Sequence, residues 1–300
     1  MTLQAVVAVA LAAGLDLLFG EPPDRLHPVA WLGTSIGWLD RDWLVPRIAG
    51  VLLALSVPFF VAILVANGLI LLQVVDPWVA AVSAGLVLYT TTSLRMLCDR
   101  AQSVLASSTS DPDAARSTVP ALVGRDPESL SPAELRSAAV ESAAENLSDG
   151  LVAPLVAFAV VIPVSLPLAA GAAAWVKAVN TLDSMVGYPE HPLGTASARL
   201  DDIVMWLPAR ITALLLVVVT RTPAALARAR RWAGEPPSPN AGWPMATLAA
   251  ILDVRLSKPG VYDLNPNAPF PSTELGQEGI RIVTRAGRLA FGLTGVIAWL

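Results

Sequence analysis

IAGVLLALSVPFFVAILVANGLILLQVVDPWVAAVSAGLVLYTTTSL, residues 48–94, decides the class of fold. Ile48–Val75 is 28 residues without a charge, and Pro77–Leu94 is a further 18. At about 1.5 Å of rise per residue, each run crosses a hydrocarbon layer ~30 Å thick as a helix, the two joined at Asp76-Pro77. Working outward, Leu3–Phe19 has no basic residue before it and no small-residue cleavage site after it, so it reads as a retained span rather than a signal peptide. Leu151–Val176 and Ile203–Thr220 are two more spans, whereas Leu289–Leu300, at 12 residues, is too short to cross alone. The whole chain agrees. Its 300 residues are 54% hydrophobic and 15% charged, with a mean hydropathy of +0.60; with the 20 glycines added the apolar share is roughly 61%, well beyond the ~45–50% of soluble domains on that scale. Disorder and a collagen-like repeat are excluded, and a single cysteine, Cys98, excludes a disulfide scaffold. The expected fold is an all-α polytopic integral membrane protein with about five transmembrane helices, some broken or re-entrant, in a single membrane-embedded domain over residues 1–300.

Charge sets the expected orientation. The net charge is −4, and the 20 basic residues are 18 arginines with Lys177 and Lys258. Segments 20–47, 95–150 and 221–288 carry seventeen of them, against two in the intervening segments at Asp76-Pro77 and 177–202. The positive-inside rule then puts those three segments in the cytoplasm and the N-terminus outside, in a multi-pass cell (inner) membrane protein whose site faces the cytoplasm. No block of like charge resembles a nucleic-acid arm. Arginine's fork suits anionic ligands, and topology anchoring is the plain alternative. Within the cytoplasmic segments, Ser131, Pro132 and Glu134 describe a capping box opening a surface helix over Pro132–Asn146. The stretches 235–242 and 259–271 are too rich in proline and asparagine for long helices.

Several polar clusters need an explanation that the apolar bulk does not supply. Glu141, Glu145 and Asp149 are spaced to stack on one helical face, which is either a solvated acidic face or a site for a metal or a basic partner. Oxygen-only ligands favour Mg²⁺ over zinc. Lys177, Asn180, Thr181 and Ser184 fall on one stripe flanked by Asp183 and Gly187. A lysine following 25 uncharged residues either lines a cavity or snorkels and pairs with Asp183. Asp201 and Asp202 open the next apolar run, with Asp202, Trp206 and Arg210 at i, i+4 and i+8. An arginine eight residues into an 18-residue run broken by Pro208 suits a broken helix lining a polar cavity. His27 and His191 both precede proline, which makes them rigid loop corners, and Asp24 and Arg25 beside His27 favour a functional role there. Phosphate-binding glycine loops and a nucleophile elbow are absent. Any nucleotide chemistry must therefore use helix ends, arginines and metal-holding carboxylates.

The segments DLLFGEPPDRLHPVAWLG (16–33), ESAAENLSDGLVAPL (141–155), KAVNTLDSMVGY (177–188), LDDIVMWLPARITAL (200–214) and PNAGWPMATLAAILDVRL (239–256) together resemble the membrane-bound CobD/CbiB family of cobalamin biosynthesis. The resemblance implies an ATP-dependent amide-forming ligase, adenosylcobinamide-phosphate synthase. Such an enzyme joins the free propionate of adenosylcobyric acid to (R)-1-amino-2-propanol or its O-phosphate. An acyl phosphate is the natural intermediate, with Mg²⁺ bridging the phosphate oxygens. On that reading Glu141, Glu145 and Asp149, with Asp183 and one of Asp201 or Asp202, hold Mg²⁺, and Asp183 is also catalytic. Arg210 and Lys177 hold phosphate or the substrate carboxylate, and His27 is the candidate base. Arg25, Asn146, Asn180 and Asn240 contact substrate, Gly242 lets the backbone approach closely within a loop, and Trp243 packs on the corrin face.

That reading needs no tightly bound organic cofactor. Its partners are the corrinoid, the amine, the lipid bilayer and other cobalamin-pathway enzymes, with an oligomer compatible and no nucleic acid. Simple alternation would leave 177–188 outside while ATP is inside, so Pro154, Pro163, Pro167 and Pro208 are expected to break their helices and carry this motif into a cavity open to the cytoplasm. The competing readings are a transporter or channel, and a non-catalytic membrane partner of the AmpE type.

Overall fold

The computed structural model describes residues 2–118, 130–188 and 190–300. In chain order the helices are α1 Thr2–Phe19, α2 Pro28–Leu39, α3 Pro46–Val75, α4 Pro77–Thr91, α5 Arg95–Ser110, α6 Pro112–Thr118 and α7 Pro132–Leu147. They continue with α8 Ala153–Val161, α9 Leu166–Val186, α10 Thr195–Val204, α11 Trp206–Thr220, α12 Pro223–Ala229, α13 Gly242–Leu252 and α14 Thr273–Trp299. A two-stranded antiparallel hairpin, β1 Leu256–Lys258 and β2 Tyr262–Leu264, is paired with Ser257 opposite Asp263. The fold is thus all-α apart from this hairpin. The chain packs as two compact units: one comprises residues 1–93, 149–205 and 290–300, the other 94–148 and 206–289.

Four helical stretches among the described residues are long and apolar enough to span a membrane: Thr2–Phe19, Pro46–Val75, Pro77–Ser110 and Pro132–Val161. The pair Pro192–Val204 and Trp206–Thr220, bent by 45°, makes a fifth if it counts as one span. The first spans agree with the sequence reading, including the Asp76 junction. There the Asp76 carboxylate caps α4 by accepting from Trp78 and Val79 N–H at 2.6 and 3.1 Å.

Two expectations are corrected. The run 151–176 breaks around Pro163 as expected, the chain turning at 162–165 and restarting when the Ser165 hydroxyl accepts from Leu168 N–H at 3.2 Å, but the spanning stretch is Pro132–Val161 rather than 151–176. The Ser131–Glu134 capping box is present, but α7 is no surface helix. Its alanines are small enough to bury it, with Ala138, Ala139, Ala143 and Ala144 all inside. The apolar end at 289–300, too short to cross alone, runs mostly within the 27-residue α14, which ends at Trp299. Of the cytoplasmic segment assigned to 95–150, residues 119–129 lie outside the described residues.

The first unit is built small inside and large outside. On α3, Leu52, Leu55, Phe60, Ile63, Leu64 and Leu71 are exposed, while Ala49, Gly50, Ala54 and Ala66 are buried. This is the pattern for a lipid-facing helix, whose association relies on close backbone approach rather than on apolar burial. A Cβ on Gly85 of α4 would meet the Ala8 carbonyl of α1 at 2.9 Å, and one on Gly171 of α9 would meet the Ala62 carbonyl of α3 at 3.0 Å. Gly50 is the tightest point on α3, with a Cβ there falling 2.0 Å from the Leu193 carbonyl oxygen. Gly68 on the same helix has nothing within 4 Å. Gly50→Ala is therefore expected to cost about 1–3 kcal/mol through overpacking, and Gly68→Ala to be neutral or stabilising by up to ~1 kcal/mol. Thermal unfolding of the detergent-purified variants measures both, and equal melting temperatures would contradict this packing.

Candidate functional site

The first unit holds a polar cleft of about 310 Å³ lined by acids, threonines, a histidine and a lysine. Gly20, at φ 68°, takes the left-handed conformation that ends α1, its N–H bonding Asp16 O at 2.9 Å. The buried Tyr89 hydroxyl of α4 donates to Gly20 O at 2.6 Å, fixing the point from which Glu21-Pro22-Pro23 departs. A single 3₁₀ turn, Asp24–Leu26, leads to His27, which is extended at φ −93°, ψ 112° as a residue before proline should be.

His27 caps α2. Its Nδ1 accepts from Val29 N–H at 3.2 Å, so the ring proton resides on Nε2, which faces Glu21 Oε2 at 3.4 Å. With both nitrogens engaged, the ring orients Glu21, and its Nδ1 lone pair is already taken by the Val29 N–H. Burial works against the Glu21 charge, but hydrogen bonds from His27 and Ser93 and the charge of Lys177 outweigh it, holding the carboxyl below the usual carboxylate range. Lys177, half-buried on α9, faces Glu21 and Asp149 electrostatically rather than its helix neighbour Asp183.

Beyond the cleft, α9 and α10 form an acidic group in the same unit. Asp201 lies within electrostatic range of Asp149, Asp183 and Asp202 and takes a hydrogen bond from Asn180. Asp183 Oδ1 and Asp201 Oδ1 are buried without a hydrogen-bond partner. Gly187 is needed beside them, since a Cβ there would fall 1.8 Å from Asp183 Oδ1. No three of the described histidines, cysteines, aspartates and glutamates converge closely enough to hold a metal by themselves.

The second unit holds Glu141, Glu145, Asn146, Arg210, Asn240 and Trp243. Glu141 does not present a free face. Ser137 Oγ donates to its Oε1 and Tyr262 Oη to its Oε2, both at 2.6 Å, while Ser137 Oγ accepts from Ser257 N–H at 2.8 Å. The expected carboxylate stack is also interrupted, because a π-helical turn over Ser148–Val152 follows α7 and rotates Asp149 out of the α-helical register. Asn146 bonds Ser142 through its Nδ2. The stripe Asp202–Trp206–Arg210 is broken as well, since the 45° bend lies between Val204 and Trp206 and Asp202 pairs with Arg199 at 3.7 Å. Arg210 keeps the other half of it, its guanidinium 4.7 Å from the Trp206 ring centroid and 5.3 Å from that of Trp243, with Nη1 donating to Asn240 Oδ1 at 2.6 Å. Arg210, Asn240 and Trp243 are thus brought together in the second unit. Gly242 begins α13 rather than lying in a loop, and its backbone approaches Ala233, where a Cβ would be 2.1 Å from the carbonyl oxygen. Arg25 is exposed and is not part of the cleft lining.

The profile of the CobD/Cbib protein family matches residues 9–289, a stretch that contains both sets of side chains. The chain belongs to the CobD/CbiB family. It is 39% identical to a protein of Methanothermobacter thermautotrophicus named as a probable cobalamin biosynthesis protein CobD, over 87% of each chain. It is 37% identical, over 99% of each chain, to the cobalamin biosynthesis protein CobD of Rhodobacter capsulatus. No solved structure matches. For this CobD/CbiB chain the sequence reading passed over Glu21, Ser93, Ser137 and Tyr262. Glu21 carried a signal in Glu-Pro-Pro, an acid fixed at the mouth of a rigid turn; Ser137 and Tyr262, 125 positions apart, carried none.

The lowered Glu21 ionisation has a sign that can be checked. A carboxylate held below its ordinary value of about 4.5 contributes stability that is fully present above that pH and is lost as pH falls through the lowered value. Wild type should therefore melt above Glu21→Gln at pH 7 and converge with it in acid, as followed by thermal unfolding in detergent. A gap that widens in acid would reverse the assignment.

Proposed function

We propose that this protein forms the amide bond between the free propionate of adenosylcobyric acid and (R)-1-amino-2-propanol or its O-phosphate, with ATP activating the carboxylate. Family membership over nearly the whole chain supports the pathway. The observation that carries the chemistry is the pair of buried, unpartnered oxygens of Asp183 on α9 and Asp201 on α10, α9 also lining the cleft that holds Lys177 and Glu21. A carboxylate does not condense with an amine at neutral pH unaided. A propionate oxygen attacks the terminal phosphorus of ATP and ADP leaves. The ammonium first gives a proton to water, the freed amine nitrogen attacks the acyl carbon, phosphate leaves, and the second N–H proton passes to solvent.

Mg²⁺ is ordinarily held by one or two carboxylates plus substrate phosphates rather than by an all-protein cage. Asp183 and Asp201 fit that mode, while Glu141, with both oxygens engaged by Ser137 and Tyr262, does not. When bound, the ion would neutralise charge building on the transferred phosphoryl group. Asn180 orients Asp201, and Asp202 and Asp149 add to the negative field that would attract the cation. Arg210, stacked between two tryptophan rings, presents an aromatic-flanked cation suited to an anionic or flat substrate edge. Asn240 Oδ1 fixes that guanidinium. Glu145 and Asn146 on α7 are further polar candidates for substrate contact.

The reading requires the cleft to be reached from the cytoplasm, in keeping with the basic segments. Purified protein given ATP, Mg²⁺, adenosylcobyric acid and aminopropanol phosphate should yield the amide and ADP. Asp183→Asn and Asp201→Asn should each lower the rate by about 100-fold or more while leaving the protein in the membrane. Full activity in both would remove them from the reaction. Ser184, exposed on α9, gives the topology test. The native Cys98 is buried, so a Ser184→Cys variant reports alone. It should react with an impermeant maleimide from the cytoplasmic face; rapid labelling only from the opposite face would overturn the orientation.

A further inference from the structure

The lining of the Glu21 cleft has a hydrogen-bonding polarity that points to its ligand. Thr90, Thr91, Thr92 and Thr181 all lie on its wall. Each has spent its hydroxyl proton on a backbone carbonyl: Thr90 on Val87 O at 3.0 Å, Thr91 on Leu88 O at 2.9 Å, Thr92 on Leu88 O at 2.8 Å and Thr181 on Lys177 O at 2.7 Å. A hydroxyl in that state has only lone pairs left to offer. Ser93 and His27, also on the lining, donate to Glu21, so what the wall leaves open is a row of threonine acceptors and the carboxylates of Glu21 and Asp24.

Charge points the same way. His27 is engaged on both ring nitrogens, by the Val29 N–H at Nδ1 and by Glu21 at Nε2. Lys177, the one cation among the described lining residues, lies within electrostatic range of two carboxylates, Glu21 and Asp149. The described lining thus sets two acids, Glu21 and Asp24, against one lysine. An anion would meet acceptors and carboxylates, whereas a group with several N–H donors and a positive charge would satisfy them together. At about 310 Å³ the cleft is at the bottom of the range of ligand sites, ~300–1,000 Å³, far too small for a macrocycle. Val29, Ala30, Gly33 and Met185 give it an apolar side wall.

We propose that this cleft binds a small aliphatic primary ammonium ion, with Glu21 as its counter-ion, the threonine hydroxyls as its hydrogen-bond acceptors and His27 as the positioning residue that aims Glu21. In terms of the function proposed above, on which this assignment of the physiological ligand rests, it is the subsite for the ammonium end of the amine substrate, whose alkyl part lies along Met185.

The test is direct binding of (R)-1-amino-2-propanol to the full-length protein in nanodiscs, by calorimetry, without ATP or corrinoid. Saturable binding, competed by ethanolamine and not by isopropanol or propionate, is expected. Glu21→Gln should weaken it by roughly ten- to a hundred-fold. Thr181→Val, which removes one acceptor at nearly constant volume, should weaken it several-fold and serves if Glu21→Gln fails to fold. Gly68→Ala, remote from the lining, should leave it unchanged. In the coupled assay both cleft variants should raise the KM for the amine and leave that for the corrinoid alone. Amide formation with an unchanged amine KM in both variants would overturn the cleft assignment and leave the ligase reading standing. Amine binding that is lost in both variants, in a protein that makes no amide, would sustain the cleft and sink the ligase reading. No saturable binding by wild type, or binding competed equally by propionate, also overturns the cleft.

Discussion

The first unit depends on how a charge is accommodated among tightly packed small residues. Lys177 sits on α9, whose neighbouring positions are alanine and valine, and an unpaired ammonium there would be costly. The compensating carboxylates come from elsewhere in the chain, Glu21 from the turn after α1 and Asp149 from the π-helical turn before α8. Holding Glu21 in place takes the Gly20 left-handed cap, the Tyr89 hydrogen bond and the His27 ring, each a local feature with a distant purpose. Gly85 and Gly171 let α4 and α9 approach their neighbours at backbone distance, which makes such spacing attainable.

A second consequence of close packing is that polar side chains have few partners beyond their own helix. The threonines at the end of α4 bond back to carbonyls three or four residues earlier, as hydroxyls in apolar helices commonly do. That habit satisfies the donors and leaves the acceptors, so a structural economy turns a helix end into a surface with one hydrogen-bonding sense. In the second unit a different solution appears. Glu141 is buried but fully engaged by Ser137 and Tyr262, and this network ties α7 to the hairpin. Two acids thus differ in chemistry: Asp201, only partly buried as a residue, keeps one buried oxygen unpartnered, whereas the fully buried Glu141 has both oxygens engaged.

Breaks in the helices matter as much as the helices. The turn around Pro163, the π-helical turn at 148–152 and the 45° bend after Val204 each change which side chains share a face. Without them Asp149 would stack on Glu145 and Asp202 would point with Arg210. With them Asp149 and Asp201 enter the same electrostatic group as Asp183 in the first unit, and Arg210 turns to Trp206, Trp243 and Asn240 in the second.

From the sequence alone came the class of fold, most of the spans and the polar motifs, because hydrophobic run length, proline positions and capping residues act over a few neighbours. The Asp76 junction, the Ser131–Glu134 box and the stripe from Lys177 to Ser184 are legible for that reason. Partnership was not. Whether Lys177 meets Asp183 or Glu21, whether Glu141 is spent on Tyr262, and whether α7 is exposed or buried were decided only in three dimensions. Burial and pairing depend on residues more than a hundred positions away, and helical periodicity carries no information about them.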